Sequence, residues 1–418
     1  MLAAVFALAL WQDAQTLADS VTERDSGASF RAISKLVDLA DARHEEVERV
    51  AAKLPAFYRE VLLSELNAKR ELGVRFGRGI RMDLKGTGRT LWDYLEEIGR
   101  RPGMAVKIEE WNRKHGPHQG FDVDLKDVWA IEALAHVCER ARHRFYPSWL
   151  EESWSFGPGG DGPGRPPQSH PWFFYRNIGV TFGVHWRKVI DFRGPPKWSA
   201  ILGISTVLGP ETQAVMWKDL HVIEVRGEDG KELRLAAAED SAIPGFEPSS
   251  PSGAPGPMVI ALELSEKAEV RLSRLRFSMV ARVPQERRHY VIDDPLKQAT
   301  AADEYFEVTV RDSESPDSWG YNAEIHIRPK KSPHADLAGV PVTVLYRFEP
   351  NSNAPSSGGF VFTGKGESTV GGTPWGSLRP ATLPGGEKVR RLLGVEVIVP
   401  IGLQDRRIYV EFRDISLK

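Results

Sequence analysis

Apolar residues at helical spacing, three and four apart, occur only before residue 157, whereas beyond residue 171 they recur at every second position. Between the two regions, Gly157 to Pro171 holds five glycines and five prolines in fifteen residues. Glycine's backbone freedom and proline's missing N–H leave no room there for a helix or a paired strand, so the stretch at 157–171 reads as a linker. A strand turns its side chains over with a period of two and a helix with a period of 3.6, and neither can satisfy the other's pattern. The chain is therefore expected to be α+β and multi-domain, with helices in its first part and antiparallel strands in its second. At 418 residues it is long enough for several separate cores.

The amino-terminal run Met1 to Leu10, MLAAVFALAL, is too short to span a bilayer but matches the apolar part of a signal peptide. Residues 1–15 are accordingly expected to direct export, to a periplasmic, secreted or cell-envelope location of bacterial type. No later segment is apolar enough to cross a membrane, so the mature chain is expected to have no transmembrane segment, with peripheral membrane contact left open. Residues 16–74 form the next segment. Leu36, Leu39 and Ala40 share one helical face, Val47, Val50, Ala51 and Leu54 another, and after Pro55 the spacing resumes with Tyr58, Val61, Leu62 and Leu66. This predicts two or three amphipathic helices, similar to a HEAT-type pair. One such pair cannot close a solenoid and has to pack on its neighbour.

Residues 75–156 carry a doubled pattern. Ile80, Met82 and Leu84 alternate as a strand, Leu91, Leu95 and Ile98 mark a helix, and Met104, Val106 and Ile108 alternate again. The order then recurs: Phe121, Val123 and Leu125, a helix through Val128, Ile131, Leu134, Ala135 and Cys138, and a strand from His143 to Trp149. Asp83-Leu84-Lys85 returns as Asp124-Leu125-Lys126, giving a β-α-β unit written twice. The stretches RMDLKGTGRTLWDYLEEIGRRPGMAVKI and GFDVDLKDVWAIEALAHVCERARHRFYPS resemble the secretin and TonB short N-terminal domain. Glu132-Ala133-Leu134 with Val137-Cys138 is similar to that family's second helix, and Leu95-Glu96-Glu97-Ile98 to its first. The resemblance covers about a fifth of the chain and is interrupted by the polar insert Trp111 to Gln119. Nothing like a secretin pore or an outer-membrane barrel follows. It implies a fold, an envelope setting and a habit of protein–protein contact, and it does not carry over the family's export role.

Beyond the linker, runs such as Leu275-Phe277-Met279, Phe306-Val308-Val310, Val340-Val342-Val344-Tyr346, Val395-Val397-Val399-Ile401 and Ile408-Val410-Phe412 alternate as strands, and Glu228-Asp229-Gly230 signals a hairpin turn. Strands at this spacing predict antiparallel sandwiches. The length suggests two, at 172–294 and 295–418, with a boundary near Asp294 to Ala302.

Few groups point to chemistry. Gly359 to Gly366 approaches a phosphate loop, but Gly366 stands where Ser or Thr would hold a metal, and the surroundings read as a hairpin. His115 and His118 are spaced as zinc would accept, but no cysteine lies nearby and the acids Asp122 and Asp124 fall on a predicted strand. His136 and His143 flank the helix of Cys138, the only cysteine, which falls on that helix's apolar face. Asp293 and Asp294, adjacent in the chain, would point to opposite faces of a strand and read as a turn with Pro295. No catalytic residue, cofactor site or metal site is expected.

A charge of −2, from 55 basic and 57 acidic residues, gives no global field toward nucleic acid, and none is expected as a partner. One basic cluster stands out: Lys69, Arg70, Arg75, Arg78, Arg81, Lys85 and Arg89 against Glu71 and Asp83. Arg75, Arg78 and Arg81 are candidate docking residues for an acidic partner, lipid headgroup or wall polymer. Of twelve tryptophans, Trp319 and Trp375 fall in predicted loops and are candidates to stack on sugar rings. Taken together, these patterns lead to an exported, non-catalytic envelope protein that binds or scaffolds an envelope protein or cell-wall polymer. A carbohydrate-binding sandwich using exposed Trp is the alternative, and a hydrolase with dispersed carboxylates a third reading.

Overall fold

The computed structural model describes residues 14–72, 79–102, 104–108, 110–148, 153–158, 171–189, 197–209, 216–236, 258–264, 270–293, 299–313, 322–330, 341–348, 356–361, 368–370 and 392–417. The chain is mixed α and β, with helices in its first part and several antiparallel sheets.

Three helices open it. Helix α1 (Ala14–Asp19) is short, and α2 (Ser26–Ala51) starts where the Asp25 carboxylate accepts the Ala28 N–H at 2.8 Å. Arg43 has non-helical angles (φ −143°, ψ 50°) and kinks α2 between the two apolar faces that the sequence shows. Pro55 then separates α2 from α3 (Ala56–Leu72), as a residue that cannot donate an interior helical hydrogen bond should.

The doubled unit follows. Strand β1 (Arg81–Arg89) leads to α4 (Leu91–Gly99), which begins with a reciprocal Thr90–Asp93 cap. The short helix α5 (Glu110–His115) lies within the polar insert. Then come β2 (Phe121–Trp129), α6 (Ala130–Arg140), β3 (His143–Ser148) and β4 (Ser153–Pro158). Strands β1 and β2 pair antiparallel, setting the two Asp-Leu-Lys copies against each other, with Leu84 opposite Leu125 and Lys85 opposite Asp124. On the other side of the unit, β3 pairs with β4, and Val106 forms a parallel bridge to Trp154. The predicted strand at 104–108 is thus reduced to that single bridge. Leu95 and Ile98 of α4 and Leu134, Val137 and Cys138 of α6 are buried in the shared core.

Four strands make the next sheet, in the order β5 (Trp172–Tyr175), β6 (Ile178–Val189), β7 (Lys197–Leu208), β9 (Met258–Leu264), with β8 (Met216–Gly227) between β7 and β9 in the chain. At the end of β8 the predicted turn is present: Gly230 has φ +77°, and the Gly227 N–H reaches the Lys231 carbonyl at 2.9 Å.

Strand β10 (Val270–Asp293) is 24 residues long. The remaining strands are β11 (Ala299–Ala302), β12 (Phe306–Ser313), β13 (Asn322–Pro329), β14 (Pro341–Phe348), β15 (Ser356–Val361), β16 (Ser368–Val370) and β17 (Leu392–Leu417). A five-stranded sheet runs β15-β14-β17-β10-β8, and a four-stranded one β11-β12-β13-β16.

Strands β10 and β17 pair antiparallel from Val270–Leu417 to Asp293–Gly394 without a register shift. At about 3.3 Å per residue this ladder is roughly 80 Å long. Its last strand therefore pairs with residues on the other side of the boundary expected near Asp294: the segment 403–417 lies against 270–284. Pro284 stands just past the Arg282–Met216 pair that ends the described contact of β10 with β8, where a missing N–H breaks no second ladder.

Burial along β10 changes phase. Residues 275–281 are all buried in its first half, with Val283 after them, whereas only Tyr290 and Ile292 are buried in its second, where Val291 is 50% exposed. The change falls where the ladder lacks the pair Gln285–Gly402 and where Gly402 has φ +61°, so the plain alternation of side chains is interrupted there. Phe412 meets Phe182 of β6 at 5.0 Å in the first half, and Tyr290 meets Phe306 of β12 at 6.4 Å in the second.

Phe412 also contacts Phe173 and Phe277, so the first junction rests on this ring. Phe412→Ala is expected to lower stability by about 3–5 kcal/mol. Urea unfolding should show the loss as a lower midpoint with an unchanged slope.

Candidate functional site

Of the residues singled out from sequence, Arg75, Arg78, Trp319 and Trp375 lie outside the described residues, as do Asp294 and residues 362–366 of the glycine-rich loop. Arg81 opens β1 and is held internally. Its guanidinium bonds the Asp127 carboxylate at 2.6 Å and the Asp127 carbonyl, and it lies 4.7 Å from the centroid of the Trp129 ring. The His118 ring nitrogen Nε2 is 3.4 Å from the Lys114 carbonyl at the end of α5. Cys138 is 1% exposed, and burial pushes its thiol pKa well up, which keeps it protonated. Burial lowers the His136 pKa, favouring the neutral ring. Among the described residues no three His, Cys, Asp or Glu side chains gather as metal ligands would.

The structure brings together a different set. On β10, Arg274 and Arg276 share one face, and across the ladder Arg413 and Glu411 stand opposite them. The Glu411 side chain is wholly buried. It lies 2.7 Å from Arg413 Nη2, 3.2 Å from Arg276 Nη2 and 3.6 Å from Arg274 Nε. Its second oxygen accepts the Tyr58 hydroxyl of α3 at 2.7 Å. Glu224 of β8 faces Arg276 at 3.2 Å and Arg274 at 3.5 Å, and also pairs with Arg226. From the turn between α1 and α2, Glu23 meets Arg276 at 2.6 Å and Arg274 at 3.3 Å. The Phe57 ring covers the Arg276 guanidinium at 4.3 Å. Burial and the Glu411 carboxylate push the Tyr58 pKa up to about 12, so at neutral pH the phenol is a donor and not a nucleophile.

Helix α3 is what encloses this set. Strand β14 pairs with β17 only over residues 392–398, so the far side of the remaining β17 has no strand partner among the described residues. Here α3 lies alongside: Ser64 donates its hydroxyl to the Arg407 carbonyl at 2.7 Å, and Glu65 pairs with buried Arg406 at 2.6 Å. Arg176, 4% exposed in the turn between β5 and β6, reaches Asp38 of α2 at 2.9 Å. The helices are thus fastened by ion pairs at three places as well as by apolar packing. Chemically, the cluster holds carboxylates in fixed positions among guanidiniums.

Sequence reading passed over these residues because charged groups at every second position of a strand look like a solvated face. The available signal was the density of arginines in RLSRLRFSM, opposite a segment, VEFR, that carries a glutamate between large apolar residues.

Comparison with models of known protein families, with curated proteins and with solved structures found no match to the chain.

Removing one partner of a buried ion network leaves the others uncompensated. Glu411→Gln is therefore expected to cost about 3–5 kcal/mol, read by chemical denaturation. A second check uses Tyr58. The folded state keeps this proton after the unfolded chain has lost it, so the unfolded state binds fewer protons and stability falls between pH 10 and about 12. Tyr58→Phe should remove that share of the alkaline loss, while other buried tyrosines keep theirs.

Proposed function

We propose that this is a non-catalytic envelope protein that binds or scaffolds through protein–protein contacts. The observation that carries the reading is the β10–β17 ladder, held in a single register over roughly 80 Å of two-stranded spine. On this reading the ladder is shared by two sandwiches: β5-β6-β7-β9 faces one half and β11-β12-β13-β16 the other. The doubled β-α-β unit packs beside the first, where Trp129 touches Tyr175 at 6.2 Å. A long spine with a small unit fixed beside one end suits a spacer that presents a contact surface.

The likeness of residues 75–156 to the secretin and TonB short N-terminal domain supports this assignment. So does the pairing of the two Asp-Leu-Lys copies across β1 and β2, which a duplicated unit would produce. Export rests on Met1 to Leu10, outside the described residues. Among the described residues no helix is long and apolar enough to cross a membrane.

The experiment is fractionation of cells expressing the tagged full-length chain, followed by cross-linking and pull-down from the envelope fraction. The expected result is recovery in the periplasm or envelope together with an envelope protein that survives a stringent wash. Uniform cytoplasmic recovery with no envelope partner would overturn the proposal.

A further inference from the structure

Residues 23 and 24 sit on the arginines of the sheet in the way a bound peptide sits in a receptor. The segment lies between α1 and α2 and is not helical. Its side chain and its main chain are both held. The Glu23 carboxylate meets Arg276 and Arg274, as described above. The Glu23 carbonyl accepts from Arg413 Nη2 at 2.5 Å and from Arg274 Nη2 at 3.2 Å, and the Arg24 carbonyl accepts from Arg413 Nη1 at 3.2 Å. Main-chain carbonyl contacts of this kind read no sequence, whereas the paired guanidiniums select a carboxylate.

The charge count points the same way. Arg274, Arg276 and Arg413 belong to the two long strands, and Arg226 to their neighbour β8, while among the described residues the acids of the sheet that pair with them are Glu224 and Glu411. The carboxylate nearest to balancing the excess comes from Glu23, a residue outside the sheet. The two kinds of acid also differ in access: the Glu411 side chain is wholly buried, whereas that of Glu23 is 42% exposed. Glu411 is built in, and Glu23 occupies the open end of the cluster.

We propose that Arg274, Arg276 and Arg413 form a site for an extended acidic peptide, and that Glu23-Arg24 of the chain itself is its resident occupant. An acidic segment of a partner protein would exchange with these two residues and unfasten the α1–α2 connection from β10 and β17. This goes beyond the envelope reading and does not depend on the compartment in which the protein works.

The test uses the full-length protein as wild type, as Glu23→Ala, and as Glu23→Ala combined with Arg413→Ala. The probe is a fluorescein-labelled synthetic peptide of residues 17–28, alongside the same peptide with Ala at position 23. The labelled peptide is expected to bind Glu23→Ala at least roughly tenfold more tightly than wild type, to weaken as sodium chloride is raised, and to be lost in the double variant. The Ala-containing peptide should not bind. Circular dichroism and a cooperative melt establish that each variant is folded, and Glu23→Gln, which keeps the side chain's shape, replaces Glu23→Ala if that variant is not. Equal peptide affinity for wild type and the folded Glu23 variant, or equal binding of the two peptides, would overturn the proposal and leave Glu23 a structural contact.

Discussion

The register between β10 and β17 is the constraint on which the rest of the structure depends. Two strands paired over 24 residues would be a weak object alone, because a two-stranded ribbon buries little. This one is stabilised because each half packs against a smaller sheet of its own. Phe277 and Phe412 pack toward one smaller sheet and Tyr290 toward the other. A slip of one residue would turn both sets away from their partners at once. Two separate cores therefore enforce a single register.

The helices answer a second requirement of the same ladder. A strand with an unpaired side invites pairing with another chain. Along the part of β17 beyond β14 that side is taken by α3, whose Ser64 hydroxyl satisfies a strand carbonyl. The face beneath Phe57 and Tyr58 is charged, and burying charge is costly unless every group is matched. The matching is close. Glu411 touches three guanidiniums and a phenol, and Arg406 has Glu65. The position of the helices on the sheet is thus specified by polar partners, which tolerate few alternative placements, and its strength comes from the apolar core around them.

Much of the local structure was legible in the sequence. The break at Pro55, the helix through Leu91, Leu95 and Ile98, the strands around Leu84 and Val123, the helix carrying Cys138 and the turn at Gly230 all follow from spacing and from the backbone preferences of a few residues. Arg81 was legible as part of a basic cluster but not as a residue already engaged by Asp127 and Trp129, which lie more than forty positions away. The charged cluster was legible only as a density of arginines on one strand, not as an interior. Arg274, Arg276, Glu411 and Arg413 obey the alternation of any half-exposed strand, and only the arrival of α3 and Glu23 over that face makes them interior.

The amino-acid order by itself determined where helices and strands form, because each is governed by the period of apolar side chains and by Gly, Pro and capping residues within a few positions. Tertiary structure alone decided which strand pairs with which, that one ladder serves two smaller sheets, and which charges are buried. Those choices join residues as far apart as Tyr58 and Glu411. No local period encodes a partner more than three hundred residues away, so the match is set only when the surfaces meet and every buried charge must find its counterpart.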